Sequence, residues 1–260
     1  MFVSLRRMDT RYWGPSGWRL LHLISFTAEV TPSTCEFFKM IPYILPCKYC
    51  RKSLSEYMIA DPVECNKKNL PKWLWRIHND VSHKLRVNRM HVEPDPKFSI
   101  VERIYSERLT AGCSRTVFEG WEFLFSIAEA HPYSRAAKGS TPIADHPPLE
   151  DLKTPLERNM WNVMTSEERM PYYNRFWELL PSVLPFPEWR KIWKQAASAT
   201  GSPDCREGCL KYLWSIRRHM EKNLELINQT NYDSLCKELR NNRSGCTRSV
   251  RGKTCRRKLA

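Results

Sequence analysis

The sequence predicts an all-α protein that contains one helical unit twice. Apolar and aromatic positions recur at helical spacing, as at Trp18, Leu21, His22 and Ser25. No strand–helix–strand alternation of the kind that builds a parallel sheet is present. Ten tryptophans among 260 residues supply large side chains for a core. We therefore expect one helical unit followed by a second, degenerate helical copy.

Five segments define the predicted first bundle. The first contains the Trp18–Ser25 face, and the second is the apolar run from Phe37 to Leu45. Pro46 marks the start of a third helix, which continues through Cys50–Met58. Proline favours the first turn of a helix, so Pro71 is expected to open the fourth, with His78, Val81, Ser82 and Leu85 on one face. Pro94-Asp95-Pro96 interrupts the pattern, and Ile100–Leu109 forms the short fifth helix.

Two sequence blocks repeat at one offset. Phe37–Pro46 resembles Phe176–Pro185, and Lys72–Ile77 resembles Lys211–Ile216, each 139 positions later. Gly17-Trp18 resembles Gly120-Trp121 at a shorter offset, which implies an insertion in the second copy, near residues 133–157. We therefore predict a catalytic unit at 1–110, a degenerate unit at 111–235 and a basic, disordered tail at 236–260.

The net charge of +14 is concentrated near the end of the chain. Residues 237–260 hold nine Lys and Arg against one acidic residue, which is typical of a solvated tail and would suit nucleic acid. Neither glycine-rich phosphate loop is present, so nucleotide binding by those motifs is unsupported. No apolar run reaches the ~20 residues of a membrane span, and no secretory signal is seen, which favours the cytoplasm.

A Cys-x-x-Cys pair, Cys47 and Cys50, follows Pro46 at the start of the third predicted helix. Such a pair can cycle between dithiol and disulfide, and the amide dipoles of a first helical turn stabilise a thiolate. One alternative is half of a zinc site completed by Cys65, His78 or His83, although no second tight cysteine pair follows. A thioredoxin-like motif would need a strand–helix–strand context, which is missing.

Two imidazoles, each near a tryptophan, flank this pair. His22 follows Trp18 in the first helix, and His78 follows Trp73 in the fourth. A single histidine on an apolar face is usually a core residue, but two beside one Cys-x-x-Cys pair favour a flat redox cofactor. Asn79 would need a hydrogen-bond partner if buried, which a cofactor could supply.

Three motifs together resemble the Erv/ALR family of FAD-linked sulfhydryl oxidases, most closely the type encoded by large DNA viruses. They are Trp18-x-x-Leu21-His22, Pro46-Cys47-x-x-Cys50 and Trp73-Leu74-x-x-x-His78-Asn79-x-Val81, and the resemblance covers about residues 12–105. It implies a four-helix bundle plus a short fifth helix, with FAD held non-covalently at one end. It also implies disulfide formation in protein thiols, with electrons passed to O₂ to give H₂O₂. Host-cell viral factories or virions would be its location, and thioredoxin-like or virion proteins its candidate substrates.

The resemblance also implies roles for individual residues. Cys50 would face the flavin and Cys47 the substrate. The implied FAD contacts are Gly14, Trp18, His22, Tyr43, His78, Asn79, Val81, Ser82, Lys84 and Tyr105. No metal is implied. The sequence departs from the family pattern at Ser82, where an amide is usual, and at Trp75, where a disulfide cysteine is common.

The second copy lacks the chemistry of the first. Cys47 and Cys50 align with Phe186 and Trp189, and His78 with Arg217, which predicts one FAD and one active disulfide per chain. The second copy would then complete an intramolecular pseudo-dimer, the alternative being a homodimer. Cys205/Cys209 or Cys246/Cys255 are candidate shuttle pairs, the alternative being structural or idle thiols. The competing function is a basic zinc- or nucleic-acid-binding helical virion protein.

Overall fold

The computed structural model describes residues 8–27, 29–113, 117–198, 203–227 and 229–243, and this part of the chain is helical with no strand. The all-α prediction is therefore confirmed there. The helices are α1 (Thr10–Ser25), α2 (Pro32–Ile44), α3 (Lys48–Ala60), α4 (Leu70–Val87), α5 (Phe98–Ala111), α6 (Trp121–Glu129), α7 (Arg135–Lys138), α8 (Pro155–Met160), α9 (Ser166–Val183), α10 (Pro187–Ser198), α11 (Arg206–Asn223) and α12 (Tyr232–Asn241). No described helix is long and apolar enough to cross a membrane.

Local capping explains where several helices begin. The Thr31 hydroxyl accepts a hydrogen bond from the Thr34 amide, and Pro32 occupies the first turn, so α2 starts five residues before the predicted apolar run. Thr165 and Glu168 form a capping box at the start of α9. Pro71 lies in the first turn of α4, as the sequence predicts.

Helices α1 to α5 form the first bundle. Helix α1 packs on α4 and α5, and α3 lies between α2 and α4. Fully buried side chains such as Leu20, Phe37 and Trp73 fill the interior. A disulfide joins Cys35 in α2 to Cys65 in the segment between α3 and α4. This cross-link, which the sequence did not predict, fixes that segment against the bundle.

The sequence offset of 139 residues recurs in the positions of two helices. Helix α3 starts at Lys48 and α10 at Pro187, which preserves the 139-residue offset. A hydrogen bond repeats at the same offset. Arg51 Nη1 donates to the Leu45 carbonyl at 2.9 Å, and Arg190 Nη1 donates to the Leu184 carbonyl at 3.2 Å. Both bonds fix the turn that precedes the helix.

The two halves meet through matching helices, α1 against α6 and α2 against α9. Phe37 and Phe176, which are equivalent at the 139-residue offset, stack with their ring centroids 5.3 Å apart. The neighbouring equivalent pair, Glu36 and Arg175, forms a two-pronged ion pair with both N–O distances at 2.6 Å. Contact between residues at the same repeat position is what a two-fold relation between α2 and α9 would produce.

Close approach of α1 and α6 depends on two glycines. A Cβ at Gly17 would lie 3.0 Å from the Phe123 ring, and a Cβ at Gly120 would lie 2.6 Å from Leu20 Cδ2. Gly17 and Leu20 align with Gly120 and Phe123 in the repeat. The contact is therefore reciprocal, as a two-fold relation requires.

Two regions differ from the sequence-based boundaries. The residues predicted to be inserted form α7, a 3₁₀ turn at Leu149–Asp151 and the start of α8, and α8 packs against α3. Helix α12 continues to Asn241, with Leu239 buried, so residues 236–241 are helical instead of belonging to the predicted disordered tail. Cys246 and Cys255 lie outside the described residues.

Candidate functional site

A cavity of about 610 Å³ opens between α1, α3 and α4. Its volume falls in the range that small-molecule and cofactor sites usually have. Apolar side chains supply most of the wall, and Tyr105 of α5 and Val92 of the segment after α4 complete it. The cavity is therefore suited to a largely apolar group with a few polar contacts.

The Cys-x-x-Cys pair lies at the start of α3, with one of its two cysteines on the cavity wall. Cys47 is the N-cap residue of α3, and its carbonyl accepts hydrogen bonds from the Cys50 and Arg51 amides at 3.0 and 2.9 Å. Cys50 lies one turn further on, is half-buried, and lines the cavity. Cys47 is 1% exposed and does not line it. The two sulfurs thus occupy different environments.

Aromatic and imidazole rings form one side of the site. The rings of Trp18 and His78 stack with centroids 4.0 Å apart and planes inclined by 11°. His22 Nε2 lies 3.1 Å from His78 Nδ1, within hydrogen-bonding distance. The Tyr105 ring stacks on the far side of His22 at 5.1 Å. Side chains from three helices are therefore held in one layered cluster.

Both imidazoles are neutral at neutral pH. Burial, with a smaller contribution from the neighbouring His78, lowers the pKa of His22 to about 3. Burial lowers the pKa of His78 to about 4, against a smaller opposing effect of Asp95. A single proton shared between Nε2 and Nδ1 then satisfies the pair. His22 Nδ1 is buried without a hydrogen-bond partner among the described residues, so a bound group could pair with it.

Cationic side chains lie at the polar parts of the cavity wall. Lys84 Nζ donates to Ser53 Oγ, and both residues line the cavity. Arg19 also lines it and pairs with buried Glu119 at 2.8 Å. These groups provide positive charge beside an apolar slot, an arrangement that suits a ligand with a flat apolar part and an anionic part.

The structure brings most of the predicted site residues together. Those lining the cavity are Gly14, Trp18, Cys50, His78, Val81, Ser82, Lys84 and Tyr105. His22 lies behind this wall, bonded to His78, and Asn79 is half-buried outside the lining. Tyr43 lies elsewhere: its ring stacks on Tyr172 of α9 with centroids 3.8 Å apart. Tyr43 therefore contributes to the contact between the halves.

The cavity, the Cys-x-x-Cys pair and the imidazole cluster all lie in a segment that matches a known family. Residues 15–102 match the model of the Erv1/Alr family. This segment is similar to the Erv1/Alr family and is named the Erv1/Alr domain after that match. A similar protein is a probable FAD-linked sulfhydryl oxidase of Acanthamoeba polyphaga mimivirus, 31% identical over 86 residues, which cover 29% of this chain and 60% of that protein. The chain thus spans less than two thirds of that relative. No solved structure gives a significant match.

Several wall residues of the Erv1/Alr domain escaped the sequence reasoning. Leu54 follows Cys50 by four residues, and Ile77 precedes Val81 by four. Their spacing could have identified them, since residues four apart share a helix face. His91 and Val92 lie in an irregular segment after α4, where no periodicity exists to place them.

In the second half, the residues that align with the cavity-lining Cys50 and Leu54 are large and buried. Trp189, which aligns with Cys50, packs on Phe118 with centroids 4.4 Å apart. Trp193, which aligns with Leu54, stacks on Trp121 at 6.1 Å. All four side chains are buried. The aligned positions of the second half therefore lie in a packed aromatic core, where the Erv1/Alr domain has a cavity.

The zinc alternative loses one of its candidate ligands. Cys65 is bonded to Cys35 and cannot supply a thiolate to a metal. Within the described ranges, no three His, Cys, Asp or Glu side chains are grouped as metal ligands would be.

Proposed function

We propose that this chain is an FAD-dependent sulfhydryl oxidase whose Erv1/Alr domain makes disulfides in protein thiols. The observation that carries the proposal is the position of Cys50. It lines the same cavity as the stacked Trp18 and His78, so one sulfur of a Cys-x-x-Cys pair faces a slot suited to a flat ring. The mimivirus relative is itself described as probably FAD-linked, which supports the assignment.

The side chains present fit FAD. Trp18 and His78 offer aromatic faces, and His22 holds the His78 ring in place from behind the wall. Lys84 would meet the anionic part of the cofactor from its position on the cavity wall. The neutral imidazole pair adds no charge to an apolar pocket, so it favours an uncharged ring system.

The thiol chemistry follows from the two cysteine environments. A substrate thiolate attacks the Cys47 sulfur, the Cys47–Cys50 bond breaks, and Cys50 leaves as a thiolate. A second substrate thiolate then attacks the substrate sulfur of this mixed disulfide, and Cys47 leaves as a thiolate. The substrate has lost two protons and two electrons in becoming a disulfide. The Cys47 and Cys50 thiolates would then re-form their disulfide and give up two electrons, which bound FAD would accept through Cys50 and pass, with two protons, to O₂, giving H₂O₂.

We further propose that residues 111–235 are a degenerate copy of the first unit that serves as its built-in partner. Support comes from the stacked equivalent pair Phe37–Phe176, the reciprocal glycine contacts, and the repeated arginine–carbonyl hydrogen bond. Obligate contacts of this kind are apolar and well packed, as here. The chain would then hold one FAD and one active disulfide, and it would need no second chain to complete the bundle interface.

A pair of matched serine variants tests the assignment. In Cys50→Ser, thiol-dependent oxygen uptake should fall to background while flavin remains bound, because Cys50 faces the cofactor but is one of many wall residues. Cys236→Ser, which alters a half-buried cysteine of α12 outside both candidate shuttle pairs, is the control and should retain activity. A protein that binds flavin yet keeps full activity without Cys50 would refute the assigned role.

A further inference from the structure

The inserted segment of the second half lies directly against the helix that carries the redox pair. It runs from Tyr133 to Val163 and includes α7 and α8, and α8 packs along α3. Nothing in the first half corresponds to it, because the repeat offset changes at this point. The segment therefore adds a surface beside Cys47 that the repeated bundle would not have.

Three cationic side chains of α3 contact this segment. Lys48 Nζ donates to the Thr141 carbonyl at 2.9 Å and lies 3.3 Å from its hydroxyl. Arg51 Nη2 donates to Asn162 Oδ1 at 2.5 Å. Lys52 Nζ lies 4.1 Å from the centre of the Trp161 ring, a cation–π distance. All three contacts fall within one turn and a half of Cys47.

Asn162 joins both ends of the segment. While Oδ1 accepts from Arg51, its amide nitrogen donates to Ser140 Oγ at 3.0 Å and to the Thr141 carbonyl at 2.8 Å. Its φ of 55° lies in the left-handed region, which asparagine tolerates better than most residues. The Asn162 side chain, which follows α8, therefore bonds both to α3 and to residues 140–141 of the segment.

Cys47 is closed off in this arrangement. It is 1% exposed. The nearby void bounded by Pro46, Arg51 and Ala137 holds only about 30 Å³, enough for a water molecule and too small for a cysteine side chain. A substrate thiolate must nevertheless reach the Cys47 sulfur along the line of the disulfide.

We propose that residues 139–163 form a gate over Cys47, latched by Asn162, which must swing away from α3 before a substrate thiol can react. This inference rests on the proposed oxidase function and adds the control of substrate entry. Opening would also uncover Lys48, Arg51 and Lys52 around the thiol-accepting sulfur. The apparent rate at which Cys47 reacts is then proportional to the fraction of molecules in which the gate is open.

Alkylation of Cys47 tests the gate without flavin or oxygen. In the full-length Cys50→Ser chain, Cys47 has lost its disulfide partner. Its labelling by iodoacetamide can be followed on its own peptide by mass spectrometry, separately from that of the other cysteines. Adding Asn162→Gly keeps the left-handed backbone but removes three hydrogen bonds of roughly 1 kcal/mol each. We expect Cys47 labelling to accelerate by about 10- to 100-fold. Asn162→Asp, which keeps the acceptor for Arg51, should give a smaller increase.

Glu150→Ala is the matched control. Glu150 has an exposed side chain in the same segment, and the three contacts to α3 run through Thr141, Trp161 and Asn162. In that variant Cys47 should be labelled at the rate of the Cys50→Ser parent. Equal rates for Asn162→Gly and the parent would overturn the gate, as would an equal acceleration in Glu150→Ala. Absence of bound flavin would instead refute the oxidase proposal and leave the labelling result standing.

Discussion

Gly120→Ala is expected to disrupt the contact between the two halves more than any other glycine-to-alanine change in the described chain. The new Cβ would lie 2.6 Å from Leu20 Cδ2, 3.2 Å from its Cβ and 3.3 Å from its Cγ, against about 3.5–4.0 Å for relaxed carbon contacts. Rotating the end of Leu20 cannot relieve all three, and Leu20 is fully buried. Overpacking of this kind costs about 1–3 kcal/mol, and the left-handed φ of 115° adds about 1–2 kcal/mol for alanine.

A Leu20→Ala background separates the two causes, because it removes the crowding but leaves the backbone of Gly120 as it is. In thermal unfolding of the full chain, Gly120→Ala should lower the melting temperature by about 2–12 °C more in the unaltered chain than in the Leu20→Ala background, which corresponds to the overpacking cost for a protein of this size. Gly112→Ala is the control: Gly112 has a φ of 81°, and nothing lies within 4 Å of a Cβ built there, so its effect should be the same in both backgrounds. An equal effect of Gly120→Ala in both backgrounds would refute the close approach of α1 and α6.

Three further predictions concern stability and the site. The folded pKa values of about 3 for His22 and about 4 for His78 lie below the ordinary 6.5, so the unfolded chain binds more protons. Stability should therefore be complete above pH 6.5 and fall by about 2 kcal/mol per imidazole at pH 5, measured by urea unfolding, with a smaller fall in His22→Phe. Replacing Cys35 and Cys65 together by alanine opens a loop of sequence separation 30 and should cost about 3–4 kcal/mol, seen as a lower urea midpoint; an unchanged midpoint would argue against the disulfide. Trp18→Ala should weaken flavin retention about tenfold on desalting, because one aromatic face of the slot is lost; Trp75→Ala, which bonds the Pro96 carbonyl outside the cavity, should retain flavin as the unaltered chain does.

The parts of the fold that follow periodic rules could be predicted from the sequence. Apolar spacing placed α1 to α5, and the 139-residue offset anticipated the pairing of Phe37 with Phe176, since equivalent residues meet on a two-fold axis. The face of His78, Val81, Ser82 and Leu85 lines the cavity as that spacing predicts. Regular helices carry such information because side chains three and four apart share a face.

Features that depend on tertiary contact could not be predicted in this way. Cys35 and Cys65 pair across 30 residues, and sequence alone cannot give disulfide connectivity. Tyr43 packs on Tyr172 of the other half, a position that depends on how the halves dock. The insertion was recognised as extra sequence, but its contacts with Lys48 and Arg51 arise only once α8 lies on α3.

Flavin stoichiometry of the purified full-length protein tests the central claim most directly. The account predicts the visible absorbance of an oxidised flavin, one FAD per polypeptide released on denaturation, because Trp189 and Trp193 fill the second position. Bleaching of that absorbance by a dithiol without oxygen should be lost in Cys50→Ser. A colourless protein, or two FAD molecules per chain, would contradict the account.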